Sequence, residues 1–87
     1  MLGQFYLSIV EELLKEYFAD VLKEVRLEKG LTQQKLCDLA NMERVVLSRI
    51  ERKISFPSIP TLFRLCVVLG IKPSEIVKKV ESRQNKA

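Results

Sequence analysis

The chain has no histidine, two cysteines, three prolines and three glycines. Without histidine it lacks the commonest general base at neutral pH and the commonest metal ligand. Cys37 and Cys66 stand far apart and form no cluster with metal-ligand spacing, so most zinc sites are excluded and no metal is expected. Both fall at helical positions expected to face a core. They read as reduced, inert thiols of a cytoplasmic protein rather than as a bridge. No apolar run is long enough to cross a bilayer, so no membrane span is expected. The opening stretch MLGQFYLSIVEELLKEYF has no basic start, and Glu11, Glu12, Lys15 and Glu16 interrupt its apolar residues, so it does not read as a secretory leader. No phosphate loop and no paired carboxylates in an expected cleft occur, so neither an enzyme, a cofactor nor a small-molecule ligand is expected.

What is present is an 87-residue chain that is 47% hydrophobic, enough for one domain with a modest core. The net charge of +4 is unevenly spread. Residues 1–20 hold Lys15 against Glu11, Glu12, Glu16 and Asp20, a balance of −3, which leaves +7 for residues 21–87. A basic surface confined to one part of a small chain is the footprint expected for phosphate binding.

The segment TQQKLCDLANMERVVLSRIER, Thr32 to Arg52, reads as a helix, a tight turn and a second helix. Thr32 is a good N-cap, although Lys35 stands where a capping box would place Glu or Gln. Leu36, Leu39 and Ala40 share one helical face, Asn41 tolerates a left-handed backbone, and Met42, Leu47 and Ile50 resume the apolar stripe. Arg44, Val45, Ser48 and Arg49 are left to face outward. Two short helices whose second carries an exposed basic face describe a helix-turn-helix that sets its second helix in the DNA major groove.

Residues 22–77 resemble the XRE-type helix-turn-helix family, whose members are similar to phage repressors. The resemblance rests on Leu22, Arg26, Gly30-Leu31-Thr32-Gln33, Leu36-Cys37, Leu47-Ser48-Arg49-Ile50-Glu51, Pro57-Ser58, Leu62, Leu65-Cys66 and Leu69-Gly70 at the family's spacing. Four positions depart from it. Cys37 and Cys66 replace small alanines, Asn41 replaces a turn glycine, Glu43 stands where a serine-like cap is usual, and Lys53 replaces the glycine after the second helix. The stretch Asn41-Met42-Glu43-Arg44 is similar to the turn of restriction–modification controller proteins.

The resemblance implies an all-α fold: a compact bundle of about five helices, lambda repressor-like, with an extra N-terminal helix. Its compact domain would occupy residues 20–83, preceded by a helical extension over 1–19 and followed by a frayed tail over 84–87. Arg26 and Glu51 would form a structural pair. The recognition helix would run over about 43–52, with Arg44, Val45, Ser48 and Arg49 reading bases and Val46 packing inward or at the helix end. Gln33 would clamp a phosphate at the start of the preceding helix, with Lys35, Arg52 and Lys53 as further phosphate contacts. Ile71, Ile76, Val77 and Val80 would build a two-fold dimer interface. A dimer of that kind spaces its recognition helices about 34 Å apart, so the operator would be an inverted repeat.

Outside the motif, Leu2, Phe5, Tyr6, Ile9, Val10, Leu13, Tyr17, Val21 and Val25 recur at steps of three and four, an amphipathic helical stripe. With no Gly or Pro between Gly3 and Gly30, either one long helix runs through or the chain bends near Ala19-Asp20, where Asp20 could cap a second helix; the bend is the expectation. Residues 1–19 would cover the core or dimerise. Ser58 is expected to cap a fourth helix, apolar nearly all round through Ile59, Leu62, Phe63, Leu65, Cys66 and Leu69, and therefore central. Gly70 would stop it, and a fifth helix would run from Glu75 to about Arg83. The function expected is a homodimeric, sequence-specific regulator bound to double-stranded DNA. The alternative is a protein-interaction module, of coactivator or antitoxin type, that uses the same fold mainly to bind a protein partner.

Overall fold

The computed structural model describes residues 2–86, and of Leu2 only the backbone. Among the described residues the chain forms five helices and no strand: α1 (Leu2–Glu28), α2 (Gln33–Ala40), α3 (Arg44–Glu51), α4 (Ile59–Leu69) and α5 (Pro73–Lys86). The family-implied all-α bundle is therefore the fold, with one change at its start.

That change is α1, which is a single helix of 27 residues with no bend at Ala19-Asp20. Asp20 caps nothing. No Gly or Pro interrupts the backbone ladder there, and the buried residues Phe18, Ala19, Val21, Leu22 and Val25 keep one face turned to the core across the expected break. At 1.5 Å per residue such a helix is about 40 Å long, and it sets the 43 Å long dimension of a molecule whose other dimensions are 24 and 19 Å.

Helix ends are decided by local chemistry. The Thr32 hydroxyl accepts from the Lys35 N–H (3.0 Å), and the Ser58 hydroxyl accepts from the Thr61 N–H (3.3 Å). Four helices end on a residue with positive φ: Gly30 (70°), Asn41 (52°), Lys53 (69°) and Gly70 (66°). In each case the following N–H reaches back to the helix, as in Ile54 N to Arg49 O (3.0 Å) and Met42 N to Cys37 O (3.0 Å). This is the Schellman closure, which satisfies carbonyls left over at a helix C-terminus. Lys53 adopts the geometry of the glycine it replaces, with a side chain that glycine lacks. Glu43 makes no side-chain cap on α3. Helix α5 continues to Lys86, past the expected end near Arg83.

The core joins α1 (Phe18, Val21, Leu22, Val25), α2 (Leu36, Cys37, Ala40), α3 (Leu47, Ile50), α4 (Leu62, Leu65, Cys66, Leu69) and α5 (Ile76, Val80). Leu39, expected on the inner face of α2, is instead exposed. Helix α4 is not buried all round. Its inner stripe is, but Ile59, Phe63 and Val67, spaced four apart, face out, and Val67 is 80% exposed. The loop after α3 is pinned to α1, where Phe56 meets Phe18 edge-to-face with ring centroids 6.2 Å apart.

Candidate nucleic-acid interface

Helices α2 and α3 are joined by three residues, Asn41 to Glu43, and the joint is tied from inside. The Cys37 thiol lies 3.8 Å from the Glu43 carbonyl, toward which it donates. Arg64 of α4 donates to the Asn41 carbonyl at 3.3 Å. Arg64 had no role in the sequence reading. Its signal was that it is the one charged residue in an otherwise apolar helix.

The strongest tie is Arg26. Its Nε lies 2.7 Å from Glu51 Oε2 and its Nη2 2.9 Å from Glu51 Oε1, while Nη1 donates to the Leu31 carbonyl at 2.7 Å. The two side chains are 7% and 3% exposed. Gln33 Nε2 donates to the same Glu51 Oε1 at 3.0 Å. One carboxylate therefore binds the last turn of α1, the first turn of α2 and the last turn of α3. A buried pair of this kind fixes geometry more than it adds net stability.

Against that frame the basic and apolar residues of α3 point outward. Arg44, Val45 and Arg49 are exposed, Ser48 is half-buried and Val46 lies at the edge of the exposed face. Neither Arg44 nor Arg49 enters an ion pair among the described residues. The four residues named as phosphate contacts differ from one another. Lys35 is exposed beside the N-terminus of α2. Gln33 turns one amide proton inward to Glu51, leaving its carbonyl and second proton uncommitted. Arg52 folds back along α3, its Nε 3.2 Å from Ser48 Oγ. Lys53 is drawn the other way, with Nζ 3.7 Å from Glu16 and 3.6 Å from Asp20 on α1.

The residues carried over as a dimer interface are not all on the surface. Ile76 is fully buried and Val80 nearly so, because α5 lies against α1 and these two positions, four apart, point into that contact. They belong to the core of the single chain and are withdrawn from the interface. Val77 is half-exposed and Ile71 partly buried at the core's edge. The sequence reading missed Ile59, Phe63 and Val67. Their signal was the excess of apolar residues in α4, more than one buried face can use.

The two cysteines are free and buried, and burial pushes both thiols above their ordinary pKa. A thiol held protonated is a poor nucleophile and metal ligand. Among the described residues no cluster of acidic or cysteine side chains could hold a metal ion, and no helix is long and apolar enough to cross a membrane.

An all-α bundle with a cross-braced helix-turn-helix and two uncommitted arginines on its second helix is the architecture of a DNA-binding regulator. The helix-turn-helix family model HTH_3 matches residues 22–76. The chain belongs to this XRE-type helix-turn-helix family of DNA-binding transcriptional regulators. Over 56 residues it is 43% identical to the immunity repressor protein of Bacillus phage phi105, covering 64% of this chain. The chain spans only 39% of that repressor's length. The structure is similar to the wild-type restriction–modification controller protein C.Esp1396I, with a TM-score of 0.76 and 28% identity over 85% of this chain and 96% of the other. It is also similar to the controller protein C.AhdI from Aeromonas hydrophila, with a TM-score of 0.66 and 33% identity over 74% of this chain and 94% of the other.

Proposed function

We propose that this chain is a sequence-specific transcriptional regulator that binds an inverted-repeat operator as a homodimer, with α3 in the major groove. The observation that carries the reading is the outward face of α3. Arg44 and Arg49 stand on it without protein partners, and Val45 beside them is 57% exposed. An arginine can bind guanine O6 and N7 through two hydrogen bonds, and a valine can pack on a thymine methyl. Lys35 and the free end of Gln33 sit where the first turn of α2 would meet the backbone, whose contacts position the protein without reading sequence. Glu51 then has a functional meaning. By holding Gln33, Arg26 and the end of α3 together, it fixes the register between phosphate-contacting and base-reading groups.

The homodimer reading draws on the outer face of α4. Ile59, Phe63 and Val67 form an exposed apolar row, and Phe63, Val67, Ile71 and Lys72 border a shallow groove of about 370 Å³. A row of this kind suits a two-fold contact, in which the same patch meets itself. Restriction–modification control and phage-type repression are both compatible with this reading. Neighbouring genes distinguish them: a methyltransferase and endonuclease pair, or a lysogeny region.

The test is a fluorescence anisotropy titration of the duplex upstream of the protein's own gene, against a scrambled duplex, with Arg44→Ala and Arg49→Ala alongside. The expected preference for the cognate duplex is on the order of 10³-fold or more. Each arginine change should remove about 1–3 kcal/mol of discrimination. Binding to neither duplex at low salt, followed by no enrichment in a random-sequence selection, sinks the reading.

A further inference from the structure

The first part of α1 has no packing partner among the described residues. Packing against the core begins at Leu14 and Tyr17, and the first buried side chain is Phe18. Ahead of them Phe5 (70% exposed), Tyr6 (67%), Leu7, Ile9 and Leu13 project into solvent from an intact helix. A helical stretch of this length is marginal in water unless an apolar face is packed. Phe5, Tyr6, Ile9 and Leu13 share one face, from which Leu7 turns away; with side-chain areas of roughly 200 Å² each, their exposed part is about 400 Å², within the range of the largest patches on soluble monomers.

We propose that residues 3–15 pair antiparallel with the same segment of a second copy, centred on Ile9, as a contact separate from the α4 face. Three features of the segment select a second copy. First, the stripe is self-complementary. In that register residue 9 faces residue 9 of the second copy, and residue 5 faces residue 13. The large Phe5 thus meets the smaller Leu13 at both ends, and Tyr6 falls opposite Glu12, whose carboxylate can accept from its hydroxyl. Second, the charges are polarised along the segment. Residues 3–10 (GQFYLSIV) carry no charged side chain, whereas Glu11, Glu12, Lys15 and Glu16, a balance of −2, stand together at the far end. A parallel pair would set these acids against their own copies. The antiparallel pair sends them to opposite ends, each beside an uncharged stretch. Third, the length fits. Gly3 of the second copy comes level with Lys15, next to Leu14 where packing against the core begins, so the overlap covers the free part of the helix and stops where the body starts. Two faces of about 400 Å² bury about 800 Å², the size of a weak, reversible contact rather than a permanent one. Together with the α4 face this contact gives each copy two different two-fold interfaces, and so joins dimers into larger assemblies, which close as a tetramer where the two axes cross at right angles.

Sedimentation velocity over a concentration series tests this with wild type, Ile9→Glu, Val67→Glu and the double variant. Ile9 lies outside the body, so thermal unfolding of the body should be unchanged by its substitution. The expected masses are a tetramer or larger for wild type, a dimer for each single variant and a monomer for the double. If the α4 interface is wrong, wild type is a dimer, Val67→Glu has no effect and Ile9→Glu is monomeric; the pairing of α1 then still holds. An unchanged mass for Ile9→Glu overturns the proposal, including the case where it only abolishes binding to phosphatidylcholine vesicles. Orientation is read by mixing Phe5→Cys with a size-tagged Leu13→Cys protein under oxidation. A predominant mixed disulfide supports the antiparallel pair, and predominant Phe5→Cys homodimer refutes it.

Discussion

Arg26 and Glu51 meet side-on across the joint between α1 and α3, with Nε and Nη2 of the guanidinium on the two oxygens of the carboxylate, at 2.7 and 2.9 Å. Both charges are almost fully removed from water. Removing one partner strands the other, which costs about 3–5 kcal/mol, whereas replacing both with apolar residues of similar volume is often near neutral. Arg26→Met and Glu51→Leu should each destabilise by that amount. The double variant should recover most of it, as read from urea unfolding midpoints. Its DNA preference should not recover, because Gln33 loses its anchor on Glu51. A double variant about as unstable as either single would mean that the ion pair itself contributes net stability, and one as unstable as the sum of the singles would mean that the two side chains act independently.

Lys53 presents a different balance. It holds a left-handed backbone at φ 69°, which costs a non-glycine residue roughly 1–2 kcal/mol. Its contacts to Glu16 and Asp20, at 3.7 and 3.6 Å between half-exposed groups, return about 0–1 kcal/mol at most. Lys53→Gly should therefore raise stability by about 0.5–1 kcal/mol, measured by thermal unfolding. Because the side chain leans toward the acids of α1, the salt dependence of DNA binding should change less for Lys53→Gly than for Lys35→Ala. The opposite order would return Lys53 to the phosphate contacts.

The parts of this fold that could be read from sequence are those decided within one helical turn. Thr32, Ser58, Gly30 and Gly70 announce helix ends because a hydroxyl or a missing Cβ acts on adjacent backbone. Contacts between distant segments were harder. Periodicity shows that Ile76 and Val80 share a face, but only the placement of α5 against α1 shows that this face is already covered. The same limit hid the outer row of α4, since an apolar count does not say which side is buried. Lys53 with Glu16, and Gln33 with Glu51, pair residues that no local pattern links. Asp20 failed for the reverse reason: a good capping residue has no effect where the helix on both sides is held to the core.

The thiols should be inert in the native state. Cys37 and Cys66 are buried, and desolvation keeps both protonated. Reaction with a chromogenic disulfide should therefore require opening of the structure and run orders of magnitude slower than in urea. Cys37→Ala and Cys66→Ala should each cost on the order of 1 kcal/mol, as expected for a small cavity. Cys66→Ser should cost more, because a buried hydroxyl must find a partner, which at Cys37 the Glu43 carbonyl can supply. Fast labelling of Cys37 without denaturant would show that the turn opens readily.

Glu24 and Arg83 join α1 to α5 through a side-chain hydrogen bond at the surface. That bond holds the Glu24 carboxyl below its ordinary value of 4.5 and raises the Arg83 pKa in return. The sign follows from linkage. A group whose pKa is lowered by folding stabilises the native state above its unfolded value, and that stabilisation fades as pH falls through the folded value. The contribution of Glu24 should thus be complete near neutrality and lost as pH drops below about 4.5. Thermal unfolding of wild type and Glu24→Gln across this range checks it. The two melting curves should differ at pH 7 and converge in acid. The gap should also shrink with added salt, since both groups are at least partly solvent-exposed. A gap that persists in acid would place the effect of Glu24→Gln in packing between α1 and α5 rather than in charge.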